Sequence, residues 1–307
     1  AIYPAKVALA EKLLALAPEG FSKVFFTLGG AEANENALKI ARMVTGKHKA
    51  LSRYRSYHGA TMGALTLSGD YRRPPLEPGL TGVVHAMDCY CDRCPFGKTI
   101  DTCARECASH IGQIMDLDGP GTFAAVFMEP VPGANGVLVP PPEYWPTVRE
   151  ACDRHGALLV CDEVLTGFGR TGNMWGTTTY GIQPDTLSCA KQLSSAYMPI
   201  SAIMVNDQIS DALIEQSKKI GAFAHGFTYS AHPVAAAVAL RTLELMEERN
   251  IVEHVRSVMP RFQQRLNNLA DHPLVGETRG VGLVGGVELV ADKASKRAFA
   301  PTAGVGF

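Results

Sequence analysis

The 307-residue sequence lacks several features that would assign it to a specialised class of protein. No apolar run approaches the roughly 18 residues of a membrane span, so we expect no membrane association. The formal net charge is -1, and the basic clusters typical of nucleic-acid-binding proteins are missing. Eight cysteines are too few for a disulfide scaffold of this length, which favours a reducing, cytoplasmic setting.

The composition that remains is that of a globular protein with a sizeable core. Hydrophobic residues make up 46% of the chain and charged residues 19%, which argues against disorder. The chain begins at Ala1, not Met, with a helical pattern already under way, and it stops in mid-pattern at Phe307. We therefore expect further segments at both ends, and a targeting signal cannot be judged from this sequence.

Strand and helix patterns alternate along the chain, which predicts an α/β fold. Predicted strands cover 23–27, 49–54, 83–87, 123–129, 157–164, 186–190, 200–205 and 280–290. Predicted helices cover the first residues, 31–44, 59–67, 142–156, 233–248 and 251–270. Several strands are apolar throughout, which indicates a mostly parallel central sheet flanked by helices. We expect a large domain over 1–245 and the beginning of a smaller α/β domain over 246–307.

Lys191 and Asp162 each follow or close a buried strand. Ligands of open parallel sheets lie at the carboxyl ends of the strands, so these two side chains are expected to face one ligand. Pyridoxal phosphate requires this pair: a lysine forms a Schiff base with its aldehyde, and a carboxylate keeps its pyridine nitrogen protonated. The alternative is a buried structural ion pair or two independent charges.

Further candidates surround this pair. The turn "LGGAEAN" presents the backbone N–H groups of Gly30 and Ala31 at a helix N-terminus, which suits a phosphate. Tyr57, with His58 beside it, follows the next strand and could stack on a flat ring. The remaining candidates are Val164, which could pack on the ring, and Glu129, which could bond to the ring hydroxyl or face the substrate. Each also has an ordinary structural explanation as a turn, strand-end or capping residue.

Taken in order, six motifs resemble those of the class III, pyridoxal-phosphate-dependent aminotransferases of fold type I. They are "GGAEANENALKIAR", "YHGAT", "EPVPGANG", "CDEVLTGFGRTG", "AKQLSSAYMP" and "HGFTYSAHP". The resemblance implies that Lys191 carries the cofactor and that Asp162 pairs with the pyridine nitrogen. It places Gly30 and Ala31 on the phosphate and Tyr57 on the ring. It also implies that Thr228, with Phe227, reaches the phosphate of a neighbouring subunit, so that a homodimer or a dimer of dimers shares its active sites.

The sequence departs from this family at two sets of positions. The family often has glycine where this chain has Gln192, Ala196, Ser201 and Ala231, and serine where it has Gly29 and Ala31. The substrate-binding arginine of the family is expected outside this chain, and Arg279 is interpreted as structural.

Five cysteines fall within "CYCDRCPFGKTIDTCARECASH" (89–110). Their spacing does not match the paired C-x2-C pattern of zinc sites, so no metal is expected and free thiols are the preferred interpretation. A similar insertion occurs in the omega-amino-acid:pyruvate and taurine:pyruvate branch of the resembled family.

The sequence thus predicts a transaminase that moves an amino group from a primary amine or omega-amino acid to a keto acid, with pyruvate as the expected acceptor. Two alternatives stay open. One is another pyridoxal-phosphate reaction on the same fold, namely an aminomutase, a racemase or a decarboxylase. The other is a non-catalytic relative with a thiol-rich, metal-binding insertion.

Overall fold

The computed structural model describes residues 2–223 and 225–306. The strands are β1 (Phe21–Thr27), β2 (Lys49–Arg53), β3 (Val83–Ala86), β4 (Phe123–Met128), β5 (Leu158–Asp162), β6 (Thr186–Cys189), β7 (Ser201–Asn206), β8 (Val275–Val281) and β9 (Val284–Leu289). The α-helices are α1 (Pro4–Leu16), α2 (Gly30–Thr45), α3 (Met62–Leu67), α4 (Glu106–Leu117), α5 (Tyr144–His155), α6 (Gly176–Tyr180), α7 (Asp207–Ile220), α8 (Pro233–Glu248) and α9 (Ile251–Asn267). No helix in these ranges is both long and apolar enough to cross a membrane.

Seven strands form one sheet in the order β1-β7-β6-β5-β4-β2-β3. Strand β7 is antiparallel to both of its neighbours, and the pairs among β6, β5, β4, β2 and β3 are parallel. The expected α/β architecture with a mostly parallel sheet is therefore confirmed.

Helices cover both faces of this sheet, and β4 shows why its sequence is apolar throughout. Ala125 and Phe127 pack in a cluster with the apolar side of α2, whereas Val126 and Met128 pack in another cluster with α4 and α5. Because successive side chains of a strand point to opposite faces, a strand covered on both sides needs apolar residues at every position.

The sheet brings the ends of its parallel strands to one edge. Arg53 ends β2, Glu129 follows β4, Asp162 ends β5 and Lys191 lies two residues beyond β6. Strands β1 and β6 run in the same direction, because both are antiparallel to β7. Since α2 follows β1 in the chain, the N-terminus of α2 lies at the same edge as the end of β6. The fold therefore brings together the predicted Glu129, Asp162 and Lys191, which are far apart in sequence, and adds Arg53 beside them.

One predicted strand is wrong. The segment 280–290 is not a single strand, because β8 and β9 form an antiparallel hairpin. Gly282 has φ +58° at the turn, and a β-carbon there would lie 2.5 Å from the Arg170 carbonyl oxygen. Only glycine meets both requirements. Gly282 therefore allows the chain to turn within the apolar run 280–290. The division of the chain at residue 245 stays a prediction.

Candidate active site

A cavity of about 830 Å³ lies at this edge of the sheet. Its lining brings together eight of the predicted site residues: Gly30, Ala31, Tyr57, His58, Glu129, Asp162, Val164 and Lys191. Phe227 and Thr228 do not line the cavity, and Thr228 is exposed. Their predicted contact with a neighbouring subunit stays a prediction.

Asp162 is the most extensively hydrogen-bonded carboxylate of the cavity. Its Oδ2 accepts hydrogen bonds from Asn34 Nδ2 at 2.7 Å and from His58 Nδ1 at 2.9 Å. Its Oδ1 accepts from the backbone N–H of Val164 at 3.0 Å. Only 2% of Asp162 is exposed, so these donors replace the water that a buried carboxylate would otherwise need. The side chain is thereby fixed at the floor of the cavity.

Lys191 begins a short 3-10 turn that directly follows β6. Its φ is +43°, which is unusual for a residue with a long side chain, and the side chain is exposed at the cavity wall. Since β6 pairs with β5 in parallel, Lys191 and Asp162 leave the sheet from neighbouring strands. Sparsely populated backbone conformations of this kind are often retained at functional sites.

The N-terminus of α2 forms another wall of the cavity. Gly29 is its N-cap, and the helix begins at Gly30. A β-carbon at Gly30 would lie 3.0 Å from both γ-carbons of Val164, so glycine lets the helix approach β5 closely. The first N–H groups of a helix lack intrahelical partners and carry partial positive charge, and they can therefore bind an anion.

Glu129 is a second buried carboxyl group in the cavity. Burial raises its pKa to about 7, and the negative charge of Asp162 acts in the same direction. His58, Arg53 and the backbone N–H of Tyr57 oppose this rise. The group therefore changes its charge near neutral pH, unlike an exposed glutamate.

Three residues of the site were missed by the sequence reasoning: Asn34, Ser188 and Arg53. Asn34 donates to Asp162 and accepts from Ser188 Oγ at 2.7 Å, so it connects α2, β5 and β6. A signal was present, because Asn34 lies near the start of an amphipathic helix on its buried, apolar side. Ser188 and Arg53 interrupt apolar strands, and a polar residue on a buried strand needs a partner.

The cysteines of the insertion lie apart from this cavity. Cys89, Cys91, Cys94, Cys103 and Cys107 line a second, small pocket, and all are free thiols. Burial raises the pKa of Cys89 and of Cys107 to about 12, so both stay protonated. In the described part of the chain, no three His, Cys, Asp or Glu side chains are placed to hold a metal ion.

The fold and the cavity define an α/β protein with a lysine and a carboxylate at neighbouring strand ends. The chain belongs to the class III aminotransferase family, because the family model described as "Aminotransferase class-III" matches residues 2–306.

Named relatives agree with this assignment. The chain is 42% identical over 313 residues to gamma-aminobutyrate transaminase 1, mitochondrial, of Oryza sativa subsp. indica, covering 97% of this chain and 60% of that protein. It is 40% identical over 301 residues to vanillin aminotransferase of Capsicum frutescens, covering 95% and 65% respectively. The chain therefore spans about 60% of the length of its first curated relatives.

Solved structures show the same fold. The omega transaminase from Pseudomonas jessenii in complex with PMP superposes with a TM-score of 0.94 at 40% identity, covering 97% of this chain and 68% of that one. A transaminase with L-Ala gives a TM-score of 0.95 at 42% identity, with coverage of 98% and 73%. The expected fold type I architecture is thus confirmed.

Proposed function

We propose that the complete protein is a pyridoxal-phosphate-dependent transaminase. It would move an amino group from a primary amine or omega-amino acid to a keto acid, with pyruvate as the expected acceptor. The observation that carries this proposal is the placement of Lys191, Asp162 and the α2 N-terminus around one cavity. The relatives named for gamma-aminobutyrate and vanillin and the structure named for PMP support it.

The residues present fit the cofactor at each of its functional groups. Lys191 would hold it covalently, the α2 N-terminus would bind its phosphate, and Asp162 would face its ring nitrogen. Val164, held close to Gly30, leaves room for a flat ring, and Tyr57 offers an aromatic face. When bound, pyridoxal phosphate supplies an electron-withdrawing ring that takes up the electron pair of a broken C–H bond.

The protein contributes positioning and proton transfer. Asp162 accepts hydrogen bonds from Asn34, His58 and the Val164 N–H, and such donors favour the ionised carboxylate. An ionised Asp162 would accept a hydrogen bond from the protonated ring nitrogen. The Nζ atom of Lys191 would act as the general base and acid that takes up the proton of the substrate carbon.

The assembly and location of the protein are also part of this proposal. We propose a homodimer or a dimer of dimers in the cytoplasm, with Thr228 and Phe227 on the phosphate of the partner's site. The exposure of Thr228 supports this, as do exposed Tyr229 and Tyr197, with 67% and 80% of their surfaces exposed. Size-exclusion chromatography with light scattering of the complete protein tests the assembly.

The test of the reaction is a visible absorption spectrum of the complete protein, dialysed after incubation with pyridoxal phosphate. We expect a retained band that bleaches with an omega-amino acid such as beta-alanine or taurine and returns with pyruvate. Lys191→Ala should lose the retained band. Lys47→Ala is the control, since Lys47 donates to the His155 and Gly156 carbonyl oxygens away from the cavity.

Three other outcomes would contradict parts of the proposal. A wild-type protein without a retained band contradicts the cofactor assignment. A retained band together with conversion of the amine substrate that needs no added keto acid identifies an aminomutase, a racemase or a decarboxylase. Zinc that survives dialysis in a protein without the band identifies a non-catalytic relative with a metal-binding insertion.

A further inference from the structure

Arg53 is a buried cation directly behind the cavity. Its exposed fraction is 0%, and it does not line the cavity itself. Its Nη2 donates to the backbone carbonyl oxygen of Glu129 at 2.8 Å and lies 3.9 Å from Oε2 of the Glu129 carboxylate. A guanidinium remains charged even when buried, so its charge must be balanced by groups near it.

The groups that act on the charge of Arg53 include Glu129, Asp88, Cys89 and Tyr144. Glu129 lines the cavity, and its Oε1 accepts from the Tyr57 backbone N–H at 3.4 Å. Asp88, Cys89 and Tyr144 do not line the cavity. Asp88 Oδ2 accepts from the Arg55 backbone N–H at 3.0 Å. Among the described residues, Nε and Nη1 of Arg53, Oε2 of Glu129, Oδ1 of Asp88 and the Tyr144 hydroxyl are buried without a hydrogen-bond partner.

These unpartnered groups are complementary in sign. Arg53 offers donors, whereas Glu129 and Asp88 offer acceptor oxygens within the same buried region. Burial raises the pKa of both Glu129 and Asp88, the charge of Asp162 adds to the rise at Glu129, and the charge of Arg53 lowers both. Besides Arg53, the groups that oppose the protonation of Glu129 are His58, which is first among them, and the backbone N–H of Tyr57.

We propose that Arg53 is a positioning residue of the cofactor site, which holds the Glu129 side chain in the cavity and favours its ionised form beside the cofactor ring. This inference rests on the proposed function. It connects the residue directly before the cysteine-rich insertion to the active site, because Asp88 and Glu129 both act on the charge of Arg53.

The competing explanation is that Arg53 only closes the end of β2. In that case its replacement would lower stability without changing the charge of Glu129. The two explanations differ in the pH at which the visible band of the bound cofactor changes. A nearby carboxylate favours the protonated form of the cofactor, so loss of that carboxylate moves the midpoint to lower pH.

The experiment titrates this band in the loaded complete protein and in Arg53→Met, Glu129→Gln and the double variant. We expect Glu129→Gln to lower the midpoint by about one pH unit, which is the shift that one charge near a titrating group produces. Arg53→Met should also lower it, because Glu129 then stays protonated to a higher pH. The double variant should match Arg53→Met, since no charge is left for Glu129→Gln to remove.

A structural Arg53 gives a different pattern. Arg53→Met would leave the midpoint unchanged or raise it, and Glu129→Gln would lower it by the same amount in both backgrounds. Either result overturns the proposal. Arg149→Met is the matched control, because Arg149 is a half-buried arginine that pairs with Asp185 at the opposite edge of the sheet; its midpoint should equal that of the wild type.

If Arg53→Met does not fold, Arg53→Lys provides the second background. A lysine keeps a cation there but cannot reach both the Glu129 carbonyl and its carboxylate, so the effect of Glu129→Gln should be smaller than in the wild type. An undiminished effect overturns the proposal. A wild-type protein that retains no band at all points instead to failure of the proposed function.

Discussion

The Nδ1 atom of His58 lies 2.9 Å from Oδ2 of Asp162, and both side chains are buried. The histidine contacts only the Oδ2 atom of Asp162, and the carboxylate still lines the cavity. Nε2 of His58 lies 3.1 Å from Ser52 Oγ, so the ring is held at both nitrogens. Asp162 is therefore a fixed acceptor, which is what a ring nitrogen requires.

Asp162→Asn should retain the cofactor and lose most turnover. The amide cannot stabilise a protonated ring nitrogen, so we expect kcat to fall about 100-fold or more. Steady-state kinetics and the retained visible band measure the two effects. Unchanged turnover with the band intact would show that Asp162 does not have this role.

Glu163→Gln should lower the stability of the fold and leave the cofactor site intact, because the Glu163 carboxylate does not line the cavity. Its oxygens accept from the backbone N–H groups of Gly176 and Thr177 at 2.9 and 2.6 Å and from Thr166 Oγ1 at 2.5 Å. An amide would point its own N–H groups at these donors. We expect a loss of about 2–3 kcal/mol in the free energy of unfolding, with the cofactor band kept.

Denaturant unfolding of both variants checks this contrast. Glu11→Gln, at an exposed position of α1, serves as the control for replacing a carboxylate by an amide. Equal stability of Glu163→Gln and wild type would contradict a structural role for Glu163.

Ala196→Gly should stabilise the protein. Ala196 has φ +64° and is exposed, so glycine relieves backbone strain without removing buried contacts. We expect a gain of roughly 1 kcal/mol. The control is Ala235→Gly, in a buried position of α8, which should destabilise by a similar amount or more. A destabilised Ala196→Gly, measured by thermal unfolding, would contradict this account.

The stability of the cofactor-free protein should fall as pH rises toward neutrality. Burial raises the pKa of Glu129 from 4.5 to about 7, so the folded state holds a proton that the unfolded state has lost. Such a group stabilises the fold fully below pH 4.5, and that stabilisation disappears as pH rises through about 7. Asp88, with its pKa raised to about 6, acts in the same direction.

Glu129→Gln should remove on the order of 3 kcal/mol of this pH dependence. Denaturant unfolding at several pH values between these limits measures it, with Glu11→Gln on the exposed side of α1 as the control. Parallel curves for the wild type and Glu129→Gln would show that Glu129 is not the titrating group.

Alkylation of the native protein should divide its thiols by location. Cys91 is exposed, whereas Cys152, Cys161 and Cys189 are buried with pKa values raised by burial. Since the thiolate is the reactive form, iodoacetamide should label Cys91 first and these three only after unfolding. Peptide mass mapping over time checks the order, and early labelling of Cys161 would contradict the packing of β5.

How far the sequence predicts the structure depends on the range of the interactions. Helices α2 and α8 are predicted almost to their bounds, because their apolar spacing is local. Helix α7 was missed although its start is marked: Asn206 caps it by accepting from the Ile209 N–H at 3.0 Å. The hairpin was missed because the run 280–290 is apolar on both sides of Gly282.

The sequence predicts which residues lie at the site, but it does not predict which of them form hydrogen bonds with one another. Lys191 and Asp162 could be placed at strand ends, because that position follows from the strand pattern. The contacts of Asp162 with His58 and Asn34 join residues 104 and 128 positions apart. No local pattern encodes such distances, so these partners appear only when the strand order is known.

The reversed direction of β7 also affects how the site moves. The loop from Ala190 to Ile200 leaves and re-enters the sheet at one edge, since Cys189 and Ala202 pair across the adjacent strands. Both ends of the loop are therefore anchored, and Lys191 can change position mainly by rotation about its own side-chain bonds. Such rotations occur within picoseconds to nanoseconds, whereas domain motions need microseconds to milliseconds. The proton transfer proposed for Lys191 would thus take place on a faster timescale than any domain motion.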